Sequence, residues 1–168
     1  MFWIWDALLF VIPAYVANSI PVVLGGGPPL DGGRKWRDGR PLLGAGKTVR
    51  GAVAAILAAT IIGGIFQLYP LGGALSSQMT VFIGFLMGAG TVLGDTVGSF
   101  LKRRMSIERG ATLPIIDQDG FILVALVLVH TFIAVPLLYW ILILAVTPFV
   151  HVVFNVIAYV AKWKDVPY

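Results

Sequence analysis

Asp95 stands in "GAGTVLGDTVGSFLKRRMSIERG", residues 88–110, after a run from residue 51 to 94 with no Asp, Glu, Lys or Arg. Seven residues later comes Lys102-Arg103-Arg104. On a helix Thr91, Asp95, Ser99 and Lys102 recur at i, i+4, i+8 and i+11, which is one continuous face. Asp95 then lies about two turns, roughly 10 Å, from the basic cluster. Asp117 and Asp119 follow in "IIDQDGF", where the next helix should begin. Carboxylates converging from two adjacent helix ends suit a hard cation. Mg²⁺ takes oxygen ligands, usually one or two carboxylates plus substrate phosphates. Lys102, Arg103, Arg104, Arg109, Lys47 and Arg50 surround that point and suit a polyphosphate.

Each of these residues also has a plainer reading. Asp95 can serve as half of a buried ion pair that holds the bundle together. Asp117 and Asp119 suit a helix N-terminus through its dipole. The cations can mark topology and touch anionic lipid. That last reading covers some of the cations, but it leaves unexplained the acids set among them. An ionisable residue inside a span is a functional hypothesis by default.

The elements that must hold these groups are membrane helices. Hydrophobic residues make up 58% of the 168-residue chain and charged residues 12%, against about 45–50% and 25% in soluble domains. There is no cysteine, which excludes disulfides and thiolate metal sites. His130 and His151 sit in apolar runs, which argues against zinc. The N-terminal "MFWIWDALLF" lacks the basic start of a cleaved signal peptide and reads as the beginning of a span.

A crossing helix needs about 20 apolar residues. The charge-free run 51–94 would be roughly 66 Å long as helix, so it must fold back. Tyr69-Pro70-Leu71-Gly72-Gly73 and Ser76-Ser77-Gln78 supply the turn. Residues 120–161 should fold back too, near Pro136–Trp140, with Pro148 as the rival turn or a kink. The chain is thus expected to be one all-α integral membrane domain with five transmembrane helices, near residues 2–24, 50–69, 79–101, 120–138 and 141–162. All 12 Lys and Arg then fall in the 34–50, 102–109 and 162–164 segments, on one side. The positive-inside rule makes that side cytoplasmic, with the N-terminus outside and the C-terminus inside. Two cytoplasmic loops, about 25–50 and 101–119, would form a polar cavity. Phe2, Trp3 and Trp5 at one end, and Tyr159, Trp163 and Tyr168 at the other, suit interfacial belts. Gly90, Gly94 and Gly98 form a doubled GxxxG, a stripe that lets another helix approach closely.

The first loop, "GGGPPLDGGRKWRDGRPLLGAGKTVRG", is dense in glycine. It reads either as a connector or as backbone able to approach phosphates. "GAGKT" lacks the P-loop spacing and the leading strand, so a P-loop NTPase is rejected. Asn18 and Ser19 either cap backbone opened by Pro21 or face the cavity.

Two blocks, "NSIPVVLGGGPPLDGGRKWRDGRPLLGAGKTVRG" and "GDTVGSFLKRRMSIERGATLPIIDQDGF", resemble the archaeal CDP-archaeol synthase family, itself distantly similar to the CDP-diacylglycerol synthases. The resemblance covers nearly the whole chain. That family's pattern has a second acid three residues after the first. Here Gly120 stands in that place, so Asp117 carries over directly and Asp119 only with a one-residue shift. The resemblance implies an Mg²⁺-dependent cytidylyltransferase of the cell membrane, facing the cytoplasm. It would join CTP to a lipid phosphate, 2,3-di-O-geranylgeranylglyceryl phosphate. Asp95, Asp117 and Lys102 would be catalytic, and Asp95, Asp117 and Asp119 would hold the metal. Substrates would meet Asn18, Asp31, Gly44, Gly46, Lys47, Arg50, Ser99, Arg103 and Arg104. Glu108 and Arg109 could pair with each other. No nucleic-acid partner is expected, and the oligomeric state is left open.

Two other functions compete. A transporter or channel would also carry intramembrane acids, and Gly63-Gly64 could interrupt its second span. It would need polar groups spread through the bilayer, whereas here they gather at one end. A CDP-alcohol phosphotransferase would need a DGxxAR stretch, which Asp38-Gly39-Arg40 does not continue into.

Overall fold

The computed structural model describes residues 2–107 and 113–163. Glu108, Arg109, Lys164 and Tyr168, named above, lie outside them. The described chain is helical: α1 Phe2–Phe10, α2 Ile12–Leu24, α3 Val49–Leu68, α4 Val81–Arg104, α5 Pro114–His130 and α6 Leu137–Val160, with a single 3-10 turn at Ser76–Gln78. Two isolated bridges, Pro29 to Thr48 and Lys35 to Pro41, stitch the loop between α2 and α3. Four helical stretches are long and apolar enough to cross a membrane: Trp3–Leu24, Val49–Leu68, Val81–Arg104 and Leu137–Val160. The first joins α1 and α2 across a break at Val11, where Pro13 enters the first turn of α2.

The second hairpin differs from the sequence expectation of spans at 120–138 and 141–162. Its first helix begins at Pro114 and ends at His130, and the turn is 131–136, ahead of Pro136–Trp140. Proline at the first helical position lacks only an N–H that would go unbonded anyway, so α5 starts before the acids. At the other end Pro136 keeps Val135 out of the helical region. The Val135 N–H donates to His130 Nδ1 (3.1 Å), and Trp140 Nε1 donates back to the Val135 carbonyl (3.2 Å). His130 is therefore a turn-closing acceptor. Pro148 lies inside α6.

The packing inverts the habit of soluble proteins. On α3 the buried residues are Gly51, Ala55, Ala59 and Gly63, whereas Val53, Leu57, Ile61 and Ile65 point outward. Small residues inside let backbones touch, and large ones outside meet lipid. The partner of this small face is α4. A Cβ at Gly84 would come within 2.6 Å of the Ala59 carbonyl oxygen, and one at Gly88 within 2.9 Å of Ile56 Cα. The next glycines of α4 face α5 instead. A Cβ at Gly90 would lie 2.5 Å from Ala125 Cα, and one at Gly94 2.6 Å from the Gly120 carbonyl oxygen. The expected GxxxG contact thus forms through Gly90 and Gly94, and Gly98 is buried.

Far from the basic loops, Asp6 is buried. It accepts from the backbone N–H of Leu75 (2.9 Å) and Ser76 (2.8 Å) and from Tyr139 Oη (2.9 Å). This carboxylate ties α1 to the α3–α4 connection and to α6, so it is satisfied structurally.

Because Gly90 meets backbone, Gly90→Val should destabilise the bundle by about 1–3 kcal/mol or more. Gly64→Ala, whose Cβ would meet only a Val81 methyl at 3.3 Å, should be close to neutral. Denaturation of the two variants in detergent micelles measures both.

Candidate active site

The loop between α2 and α3 is held by its own carboxylate. Asp31 is buried and accepts from the N–H of Leu43 (2.8 Å), Gly33 (2.9 Å) and Gly44 (3.3 Å). Burial would raise its pKa, but these backbone donors outweigh that and hold it below the ordinary carboxylate value. Gly44 has φ +94°, where a side chain would be strained. The Leu30 N–H reaches the Lys47 carbonyl (2.6 Å), and Val49 N–H the Pro28 carbonyl (3.1 Å), which folds the far end of the loop back toward α2. Thr48 caps α3 by accepting from the Gly51 N–H at 3.1 Å.

The near end is stapled to α4. Trp36 packs edge-on to Phe100, with centroids 5.3 Å apart. The Arg104 guanidinium lies 5.1 Å from the Phe100 ring centroid and 6.0 Å from that of Trp36. Arg104 pairs with Asp38 and donates to the Pro41 carbonyl (2.5 Å), and its own carbonyl accepts from Arg40 (2.9 Å). Asp38 is also held below its ordinary pKa: the slight desolvation that raises it is outweighed by the Arg40 N–H and by Arg104.

Folded this way, the loop delivers Lys47 to the membrane end of α4, where it forms an ion pair with Asp95. Two turns further along the same face, Lys102 pairs with Asp117 of α5 at 2.6 Å. Asp117 also accepts from the Leu113 N–H (2.8 Å), closing the first turn of α5. A small cleft of about 50 Å³ opens beside the first pair, lined by Asn18, Gly46, Lys47, Thr91, Asp95 and Thr96 among others. Thr91 Oγ1 is buried without a hydrogen-bond partner among the described residues.

Several candidates of the sequence reading take other places. Asp119 does not join Asp95 and Asp117. Among the described residues no three His, Cys, Asp or Glu side chains gather tightly enough to hold an ion. Residues two apart on a helix do not share a face. Asp119 Oδ1 is instead buried without a hydrogen-bond partner among the described residues. Asp31 and Arg104 are both engaged in folding the loop, so the structure gives them positioning parts. Arg103 donates to the Ile107 carbonyl (2.6 Å) and keeps its Nε near Gly44, without a partner among the described residues. Ser99 is buried on α4, and Arg50 is exposed in the first turn of α3. Thr48 and Thr96 line the cleft and were missed, although each adjoins a residue that was named: Thr48 follows Lys47, and Thr96 follows Asp95.

The family model "CarS-like: CDP-archaeol synthase" matches residues 1–168. The chain belongs to that family. A CDP-archaeol synthase of Pyrococcus abyssi is 44% identical over 165 residues, covering 98% of both chains. One from Methanocaldococcus jannaschii is 39% identical over 170 residues, covering 97% of this chain and 96% of that one. A solved structure of an intramembrane enzyme for archaeal membrane lipid biosynthesis matches with a TM-score of 0.76 at 35% identity. It covers 90% of this chain and 94% of its own.

If Asp31 folds the loop, Asp31→Ala should speed proteolytic cleavage within residues 25–48 severalfold while helix content stays unchanged. The wild-type loop should show the same loosening on acidification. A carboxylate held below its ordinary pKa stabilises the fold above about pH 4, and that contribution is lost as pH falls through the lowered value. Limited proteolysis and circular dichroism check both outcomes.

Proposed function

We propose that the chain transfers a cytidylyl group from CTP to 2,3-di-O-geranylgeranylglyceryl phosphate, forming CDP-archaeol and pyrophosphate, with Mg²⁺ as cofactor. Family membership supports the class of reaction. The observation that carries the assignment to this site is the pair of lysine–carboxylate contacts on one face of α4, Lys47 with Asp95 and Lys102 with Asp117.

The reaction joins anions. An oxygen of the lipid phosphate bonds to the α-phosphorus of CTP. The bond from that phosphorus to the oxygen bridging to the β-phosphate breaks, and its electron pair leaves with pyrophosphate. The nucleophile is already ionised, so the demand is for positioning and charge neutralisation. A triphosphate lying along this face of α4 offers Lys47 and Lys102 new anionic partners. Asp95 and Asp117, released from their lysines, would be the residues to hold Mg²⁺, whose preference is for carboxylate oxygens. When bound, the ion neutralises charge on the triphosphate and the departing pyrophosphate. Gly44 and Gly46 let the loop backbone come near the phosphates, and Arg103 and Arg50 add positive charge at the rim.

The site faces the cytoplasm of the cell membrane in this reading, and α5, about 25 Å long, is a fifth crossing. The ends of the helices support that count. The close of α2 meets the start of α3 at Pro21 and Gly51, and the close of α4 meets the start of α5 at Lys102 and Asp117. Asp6, Leu75 and Tyr139 gather at the opposite end. The described Lys and Arg residues then lie on the inner side.

Purified protein given radiolabelled CTP, Mg²⁺ and the dialkyl glycerol phosphate should release pyrophosphate and yield a CDP-lipid. No conversion of any acidic glycerolipid would sink the proposal. Asp95→Asn should lower turnover at least 100-fold while the protein still elutes as a folded species in size-exclusion chromatography. Near-normal turnover would remove Asp95 from the chemistry.

A further inference from the structure

The loop between α2 and α3 carries a small hairpin, residues 34–42. The Trp36 N–H donates to the Arg40 carbonyl (2.8 Å) and the Leu42 N–H to the Arg34 carbonyl (2.9 Å). Gly39, at φ +77°, turns the tip. The hairpin does not rest on the face of α4 that carries Asp95. Its Trp36 meets Phe100, and Leu93, Val97, Phe100 and Arg104 recur at i, i+4, i+7 and i+11, nearly opposite Thr91, Asp95, Ser99 and Lys102. Leu93 and Val97 are about half exposed, and on a spanning helix such a face meets lipid. From Val81, where α4 begins, to Phe100 is about 29 Å along the axis, against a hydrocarbon core about 30 Å thick. Phe100 therefore sits at the hydrocarbon boundary. Trp36, still 45% exposed, sits beside it at headgroup level, where tryptophan is enriched.

Three cations flank that ring. Arg34, Lys35 and Arg37 are exposed, and none of them forms an ion pair among the described residues. The two acids of the loop do not neutralise them: Asp31 is taken by backbone N–H groups and Asp38 by Arg104. The positive-inside rule asks only that cations lie on this side of the membrane. It does not ask that three of them surround a tryptophan above a lipid-facing stripe. That arrangement is complementary to a layer of anionic headgroups, which attracts Lys and Arg next to a span.

We propose that the hairpin 34–42 docks on anionic phospholipid headgroups of the adjoining leaflet, with Trp36 at the boundary and Arg34, Lys35 and Arg37 on the phosphates. The docked hairpin steadies the loop that carries Lys47. From Leu42 the chain runs through Leu43 and Gly44, both bonded to Asp31, to the lysine that pairs with Asp95. The docking rests on α4 spanning the bilayer, and its effect on turnover rests also on the proposed reaction.

Two readouts test it in the full-length protein, reconstituted in vesicles of phosphatidylcholine alone or mixed with phosphatidylglycerol. The first is fluorescence. Trp36 emission, taken as the difference between the wild type and Trp36→Phe, should be quenched at least twofold more by brominated phosphatidylglycerol than by brominated phosphatidylcholine. The triple variant Arg34→Gln, Lys35→Gln, Arg37→Gln should lose that preference. Equal quenching by the two lipids overturns docking on anionic headgroups, and quenching by neither takes the hairpin off the membrane. If the triple variant fails to fold, the wild-type preference alone decides. The second is turnover at saturating CTP, with the lipid phosphate at one fixed mole fraction. The wild type should gain at least threefold in the mixed vesicles. The triple variant should match it in phosphatidylcholine and show no gain. A gain kept in full by the variant, or absent from the wild type, overturns the link to Lys47. A wild type that makes no CDP-lipid in either vesicle overturns the reading of function, and the fluorescence then still decides the docking.

Discussion

Where α4 crosses α3 and α5, glycines leave it without a side chain to hold the helices apart. Gly84 and Gly88 bring the backbone of α3 against it, and Gly90 and Gly94 do the same for α5. The contact is backbone on backbone, so neither neighbour can slide or rotate without a clash. That constraint sets where Asp95 and Lys102 point. It also decides what they meet, because the loop entering α3 brings Lys47 and the start of α5 brings Asp117. The end of the molecule that carries the two lysine–carboxylate pairs is thus positioned by residues that carry no functional group at all.

The charges show a second layer of the same economy. A carboxylate taken partly out of water is costly unless paired. Here each acid on the working face has one lysine, and each lysine has a stem long enough to turn to another anion. Arg104 contrasts with them. Its planar fork is spent on Asp38, the Pro41 carbonyl and two aromatic rings. The basic residues near the cleft therefore divide by side-chain type, with mobile ammonium groups beside the acids and a fixed guanidinium clamping the loop.

This division was only partly legible in the sequence. The glycine stripe, the charge-free runs and the isolation of Asp95 can be read directly from residue types and spacing, and the structure forms the expected close helix contact, with α5 as the partner. Asp119 was misplaced because helical rotation fixes which of two nearby acids faces α4, and that rotation depends on α5 starting at Pro114. The turn at 131–136 was set too late because its closing interaction, His130 with the Val135 N–H, looks like nothing in a one-dimensional pattern. The loop-holding contacts of Asp31 and Arg104 were not legible, because loop geometry built on left-handed glycines cannot be traced from composition. The inward small residues of α3 were visible as Gly and Ala but not as a face, since their outward neighbours are just as apolar.

Asp6 bears on how the molecule is made. It lies on α1, yet its donors come from residues 75, 76 and 139. Until α6 has left the ribosome, the leading segment carries an acid whose full set of donors does not yet exist. Final seating of α1 must therefore wait until α6 has been made.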